Sequence, residues 1–329
     1  MIGEYARLLN ARNWMKKNIP FLYSWHAYVG YELDLFQKFS EPATVSDVAR
    51  DTSYEKDLLE QWVDVGVAVN HLKKLSNGRY KTAKKFRIPA SKRNPRSTGI
   101  ILKEMMELHI PTLLAYPELM RNNSKRTFNH EMHGQTVAQT SSLLEQLAYP
   151  TFQKLLKKYN YHTVLDLGCG QAGYISRLAE QFTDVDFEGI ELNGEVAASA
   201  KERCAAQKNI MIRQADLMEF EPQKTYDVIM MNNLLHYIRP DHRTEVMKRV
   251  SGWLSEDGRI AIMTPISHDE NGAQFSSAFN SFFSAFNNLY PVPSIRRMKL
   301  IAKNAGLIID QKKAVIKEGG WYVIVLKKR

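Results

Sequence analysis

Over the second half of the chain, short apolar runs alternate with stretches of helical period. Val164 and Leu165 form one such run, Asp166 breaks it, and Tyr174, Ile175, Leu178 and Ala179 follow at helical spacing. Residues 185–192 read as a second strand, 194–207 as a helix, 210–213 as a third strand and 226–231 as a fourth. A fifth, 259–263, follows the turn Ser255-Glu256-Asp257-Gly258. Near the C-terminus, 307–316 and 321–326 are joined by Lys317-Glu318-Gly319-Gly320, which predicts an antiparallel hairpin. The pattern is that of an α/β domain whose alternating series ends in a hairpin.

The first half reads as a smaller helical module. Residues 27–39 predict one helix, Thr44 starts a second, 55–71 form a third, and Tyr80-Lys81 lies in a strand after the Asn77-Gly78 turn. That order is a winged helix, whose third helix would enter a DNA groove if the module read sequence. Here that helix carries Glu55, Asp57, Glu60 and Asp64 against Lys56, with Leu58, Leu59, Trp62, Val63, Val65, Val67 and Val69 between them. Such a face suits packing better than a polyanion. The formal net charge is +10, and 65–103 holds eleven Lys or Arg and no acid. Lys81, Lys84, Lys85, Arg87, Lys92, Arg93 and Arg96 therefore keep a nucleic-acid-binding regulator as a reading from another class.

A third pattern lies between 269 and 293, where Phe275, Phe279, Phe282, Phe283, Phe286 and Tyr290 recur at spacings suited to one helix face. Core packing and contact with an apolar substrate both account for it. The 329 residues allow two domains. No apolar stretch reaches the roughly 18 residues of a membrane span. The first thirty residues, with Trp14, Lys16, Lys17 and His26 interspersed, lack a signal-peptide pattern, so the expectation is a cytoplasmic enzyme without a membrane partner. Cys169 and Cys204 make neither a zinc spacing nor a disulfide framework. His130, His133, His268, Asp269 and Glu270 offer no helical H-x-x-x-H pair, so no metal is expected. Arg296 and Arg297 open the last helix, as a solvated face or as a clamp for an acidic substrate.

The chemistry is clearest where the first strand meets its helix. Gly168, Gly170 and Gly173 stand at G-x-G-x-x-G spacing, which allows a tight turn and close approach of a nucleotide ligand. The spacing alone suits NAD as well as S-adenosylmethionine. Asp166, two residues before the first glycine, supplies an acid for an ammonium that S-adenosylmethionine has and NAD lacks. Glu191 ends the second strand where a carboxylate can accept ribose hydroxyls from either cofactor. Asp216 and Leu217, after the third strand, offer a carboxylate for an adenine amino group beside an apolar contact.

With VLDLGCGQAG, GIEL, QADL, the DVIMMNNLLH run and LSEDGRIAI in that order, the chain resembles the class I S-adenosylmethionine-dependent methyltransferases. The resemblance implies a Rossmann-like seven-stranded sheet ending in the hairpin. It also implies a cofactor site at Asp166, Gly168, Gly170, Glu191, Leu192, Asp216, Leu217 and Asn232. Further N-terminal motifs narrow it to the winged-helix small-molecule O-methyltransferases, the caffeic acid type and bacterial antibiotic-tailoring relatives. These are GYELDLF at 30–36, GRYKT at 78–82 and Phe128-Asn129-His130-Glu131-Met132. That branch implies a homodimer through a winged-helix-like domain at 1–110, connecting helices at 111–150 that line the substrate pocket, and a catalytic domain at 151–329. It places Phe128 and Met132 at the substrate, Thr136 near the cofactor carboxylate, and Phe279 and Phe283 in a substrate lid.

His236 aligns with the family's catalytic histidine, and a histidine suits proton removal because its pKa lies near neutrality. The departures are His236-Tyr237-Ile238 where the family has His-Asp-Trp, and Thr264 and Val292 where two glutamates brace the ring. Without a carboxylate the imidazolium has less support. Two roles stand open: a general base in O-methylation, or a pocket wall in an N- or C-methyltransferase.

Overall fold

The computed structural model describes residues 2–84, 92, 97–268 and 270–329. The chain divides into two compact units, 1–111 and 112–329. In the first, α1 (Ile2–Glu32), α2 (Leu35–Lys38), α3 (Val45–Thr52) and α4 (Lys56–Ala68) precede a two-stranded sheet of β1 (Leu72–Lys74) and β2 (Tyr80–Thr82). A helical run follows: α5 (Gly99–Glu104), a π-helical turn at 105–109, and α6 (Ile110–Leu114), which crosses the boundary between the units.

The single helix expected at 27–39 is broken, because Asp34 adopts a left-handed conformation (φ 54°) and the chain folds back. Gly30 makes room for the returning Phe36 ring, which a Cβ at that position would meet at 2.3 Å. Leu35, Phe36 and Phe39 thereby join Leu59, Trp62, Val63 and Leu72 in the core of this unit. Thr44 caps α3 by accepting from the Asp47 N–H, as its position before the apolar pattern predicts. The helix expected at 55–71 ends at Ala68, since Asn70 turns the chain into β1 with φ 62°. Asp57, Glu60 and Asp64 face solvent, so the exposed side of α4 is acidic. Within the basic run, Lys81 pairs with Glu41 at 2.9 Å, and Lys92 and Lys103 both reach Glu32. Lys85, Arg87, Arg93 and Arg96 lie outside the described residues.

The second unit opens with α7 (Tyr116–Arg121) and the long α8 (His130–Tyr159). Then come β3 (Thr163–Leu167), α9 (Gly173–Gln181), β4 (Asp186–Glu191), α10 (Gly194–Cys204), β5 (Ile210–Gln214), β6 (Tyr226–Asn232) and α11 (Arg243–Gly252). After them run β7 (Leu254–Pro265), α12 (Ala273–Ser284), α13 (Ile295–Asn304), β8 (Leu307–Ile316) and β9 (Trp321–Lys328). The strands form one seven-stranded sheet, ordered β5-β4-β3-β6-β7-β9-β8, in which β9 runs antiparallel to both neighbours. The α/β class and the terminal hairpin are as the sequence predicts, although β7 begins well before 259 and ends shortly after 263. Alternation along β3 sends Val164 to a core shared with α8, α9 and α10, and Leu165 and Leu167 to one shared with α11 and α13. The aromatic series leaves its helix early: α12 ends at Ser284, and Phe286 and Tyr290 lie in the following loop. No helix among the described residues is long and apolar enough to cross a membrane.

Candidate active site

The crossover from β3 to β6 places two loops side by side at the carboxyl end of the sheet, the usual ligand crevice of an open α/β sheet. One is the glycine turn. Gly168 and Gly170 both have positive φ (68° and 54°), a conformation that a side chain resists. A Cβ on Gly168 would meet Leu234 Cδ1 at 3.0 Å, whereas one on Gly170 would meet nothing within 4 Å. The turn is therefore packed on its β6 side and open on the other.

Glu191, at the end of β4, accepts the backbone N–H of Gly170 on Oε2 and that of Asn193 on Oε1, both at 3.0 Å. It braces the turn, and each oxygen keeps a lone pair for a further donor. Leu192 beside it is 65% exposed. Asp216 accepts the Met218 N–H on Oδ1 at 2.8 Å, next to half-buried Leu217.

Asp166 on β3 is only 2% exposed, and no hydrogen-bonding or basic partner among the described residues reaches its carboxylate. Burial, then the nearby Glu145 and Glu191, push its pKa well above the usual carboxylate range. Asn232 closes β6, two residues beyond the Asp166–Met230 register pair. Both polar atoms of its side-chain amide are buried without a partner among the described residues. An open turn, an unpaired buried acid and an orphaned amide make a cradle for a ligand that carries an ammonium and further polar groups, and the methionyl end of S-adenosylmethionine fits that description. Thr136 is half-buried in the second turn of α8.

The second loop carries His236, which is 9% exposed. Its ring stacks on Phe283 with centroids 4.6 Å apart and planes 12° apart, and Tyr237 lies at 4.2 Å. Phe283 touches Phe279, and Phe279 stands edge-on to Trp321 at 5.0 Å. Trp321 donates its indole N–H to Asn233 Oδ1 (3.2 Å), which ties this aromatic group to the end of β6. The loop after α12 is stitched to the same place, since the Tyr290 N–H donates to the His236 carbonyl at 2.8 Å. Buried Arg243 donates to the carbonyls of Ile238 and Pro291, and burial pulls its pKa down to about 10.

The positions expected to brace His236 hold no acid. Thr264 is fully buried and donates to the Pro265 carbonyl, and Val292 is packed in the interior. Phe128 is buried against Phe282 and Phe286, and its backbone N–H donates to Asn288 Oδ1. Met132 is not gathered with it, being 71% exposed in the first turn of α8. Arg296 and Arg297 open α13 on its exposed side. Asp269 and the His130 side chain lie outside what the structure describes, and no metal-binding cluster occurs among the described residues. Sequence reasoning missed Trp321, Asn233 and Glu145. Only the Gly319-Gly320 pair before Trp321 hinted at a close approach there.

Residues 164–258 match the methyltransferase-domain family. The chain is 28% identical over 127 residues to (S)-tetrahydroprotoberberine N-methyltransferase of Eschscholzia californica, an alignment covering 38% of this chain and 35% of that protein. It thus spans about a third of the length of that relative. The structure of human N-acetylserotonin methyltransferase in complex with SAM superposes with a TM-score of 0.77 at 16% identity, covering 98% of this chain and 97% of that one. Mitomycin 7-O-methyltransferase gives 0.76 at 13% identity, covering 99% and 100%. Residues 164–258 therefore carry a methyltransferase domain, and the chain has the fold of these two solved methyltransferases.

Proposed function

We propose that the chain methylates a hydroxyl or phenol of a small, largely apolar molecule, with S-adenosylmethionine as donor. The observation that carries this reading is His236 held flat on Phe283, in a loop that adjoins the glycine turn through Leu234. Asp166 binds the donor's ammonium, the backbone of Gly168 and Gly170 lies under its methionyl chain, and Thr136 and Asn232 complete that end. Glu191 accepts the ribose hydroxyls, Asp216 accepts the adenine amino group, and Leu192 and Leu217 cover the ring. When bound, the donor supplies a methyl group on a sulfonium that departs as a neutral thioether. Phe279 and Phe283, backed by Phe128 and with Met132 at the rim, exclude water and align the acceptor for in-line attack. His236 removes its proton.

Residues 1–110 serve as a dimerisation domain, 111–150 as pocket-lining helices and 151–329 as the catalytic domain. A second reading, N- or C-methylation with His236 as pocket wall, is favoured by Thr264 and Val292, which offer an imidazolium no carboxylate. The N-methyltransferase relative points the same way.

Calorimetry with S-adenosylhomocysteine tests the donor site: binding is expected, and its absence would overturn both readings. His236→Ala is expected to lower kcat by about 100-fold or more if the ring is a base. Near-full turnover would leave the second reading.

A further inference from the structure

Glu145, at the middle of the long helix α8, enters none of the roles above. Its carboxylate lies against the first residue of α9, so that a Cβ on Gly173 would fall 2.1 Å from Glu145 Oε2 and 2.7 Å from its carboxyl carbon. The third glycine of the turn is thus the space Glu145 occupies. From there it faces Asp166 on β3 and Tyr174 and Arg177 on α9, with Arg203 on α10 and, beyond Asp166, Glu191 on β4 and Cys169 in the turn.

No hydrogen bond or ion pair holds Glu145 among the described residues: Arg203 is committed to the Gln171 carbonyl, and the Arg177 guanidinium lies over the Tyr149 ring. Asp166, 2% exposed, is equally without a partner. Two unpaired carboxylates in one desolvated site cannot both be charged cheaply. Burial, then Glu145 and Glu191, raise Asp166 well above the usual carboxylate range, and burial pushes Glu145 up to about 7 against the pull of Arg203 and Arg177.

A fold gains nothing from two unpaired carboxylates, one buried and one half-buried, unless a cation joins them. We propose that Glu145 is a second carboxylate for the donor's ammonium, closing over it from α8 while Asp166 holds it from β3. The inference rests on the donor site proposed above. Before the donor binds, the acid pair retains a proton, and the arriving ammonium expels it to solvent.

The test uses the full-length chain, its Glu145→Gln variant and two ligands. S-adenosylhomocysteine carries the ammonium, whereas 5′-methylthioadenosine has the same nucleoside without the amino-acid tail. Glu145→Gln is expected to weaken S-adenosylhomocysteine by about tenfold or more, as loss of a charge-assisted contact would, and to leave methylthioadenosine within about twofold. Calorimetry near pH 7 in buffers of different ionisation enthalpy is expected to report proton release when S-adenosylhomocysteine binds the parent chain, and less with the variant. Equal weakening of both ligands, or unchanged affinity for both, would overturn the proposal. So would identical proton release. If the parent chain bound methylthioadenosine but not S-adenosylhomocysteine, the clamp would fall while a nucleoside site survived; if it bound neither, the donor reading itself would fail.

Discussion

Single residues decide how closely the two halves of the candidate active site approach. Gly272 starts α12 with φ 67°, and a Cβ there would stand 2.1 Å from the backbone nitrogen of Gly320. The contact seats the aromatic helix on the turn before Trp321, whose ring meets Phe275 and Phe279. Gly272→Ala therefore faces both a left-handed backbone and a backbone clash, and is expected to cost about 2 kcal/mol or more. Urea unfolding followed by far-UV dichroism measures that loss. Affinity for S-adenosylhomocysteine should stay within about twofold while KM for the acceptor rises, and an unchanged unfolding midpoint would refute the argument. The same residues explain what the sequence could reveal. Asp166, Gly168, Gly170 and Glu191 are legible as candidates because one turn and one strand end place them, by rules local to the chain. Glu145 and Trp321 are not. Each comes to the crevice through packing of an element remote in sequence, and nothing in its immediate neighbours records that destination.

Among elements, α1, α4 and β1 meet through two buried histidines. The His26 ring lies flat on Trp62 at 4.2 Å, and Trp62 donates its indole N–H to the His26 carbonyl. His26 Nδ1 is 2.9 Å from His71 Nδ1, so one neutral ring donates to the other. Gly66 leaves the room: a Cβ there would strike His26 Nε2 at 2.4 Å. Burial, with His71 adding to it, holds His26 down to about 3, and burial holds His71 to about 4. Both rings start from an ordinary value of 6.5, so below that value the unfolded chain binds protons the folded unit refuses. The stability of the N-terminal unit is full above 6.5 and falls as pH drops toward 4. In the second unit the sign reverses, because Glu145 and Asp166 are raised in the fold: the folded unit holds protons there that the unfolded chain has lost, and stability declines as pH rises from about 4.5 to about 7. Hydrogen exchange, corrected for intrinsic rates, should show amides of α4 losing protection from about pH 7 to about pH 5 while those of β3 gain it. Parallel changes would contradict the assignment. The helices and strands themselves were largely legible from apolar period. The break at Asp34 and the early end of α12 were not, because tertiary packing of Phe36 and of the loop to α13 overrides the local pattern.

For the whole molecule, the governing fact is an unfinished surface. α1 is 31 residues long, about 46 Å at the usual helical rise. Tyr5, Leu8, Trp14 and Met15 are each about two-thirds exposed or more in the single chain, and Leu9, Ile19, Phe21 and Leu22 are over 40% exposed. Apolar exposure on that scale marks an interaction surface. Because the same helix is present on every copy, a two-fold partner can cover it without any other molecule. The net charge of +10 opposes such pairing at long range, and salt screens that repulsion while strengthening burial of apolar area. Sedimentation is therefore expected to give twice the 37.9 kDa chain mass, with association tightened by added salt. A double substitution, Leu8→Glu with Met15→Glu, places like charges on the helix at a desolvated interface and should shift the species to a single chain mass. Its thermal unfolding should then lose concentration dependence, since only an associated fold is stabilised by mass action. A parent chain that sediments as a monomer at every salt concentration would leave α1 to some other partner and would remove residues 1–110 from the role of dimerisation domain.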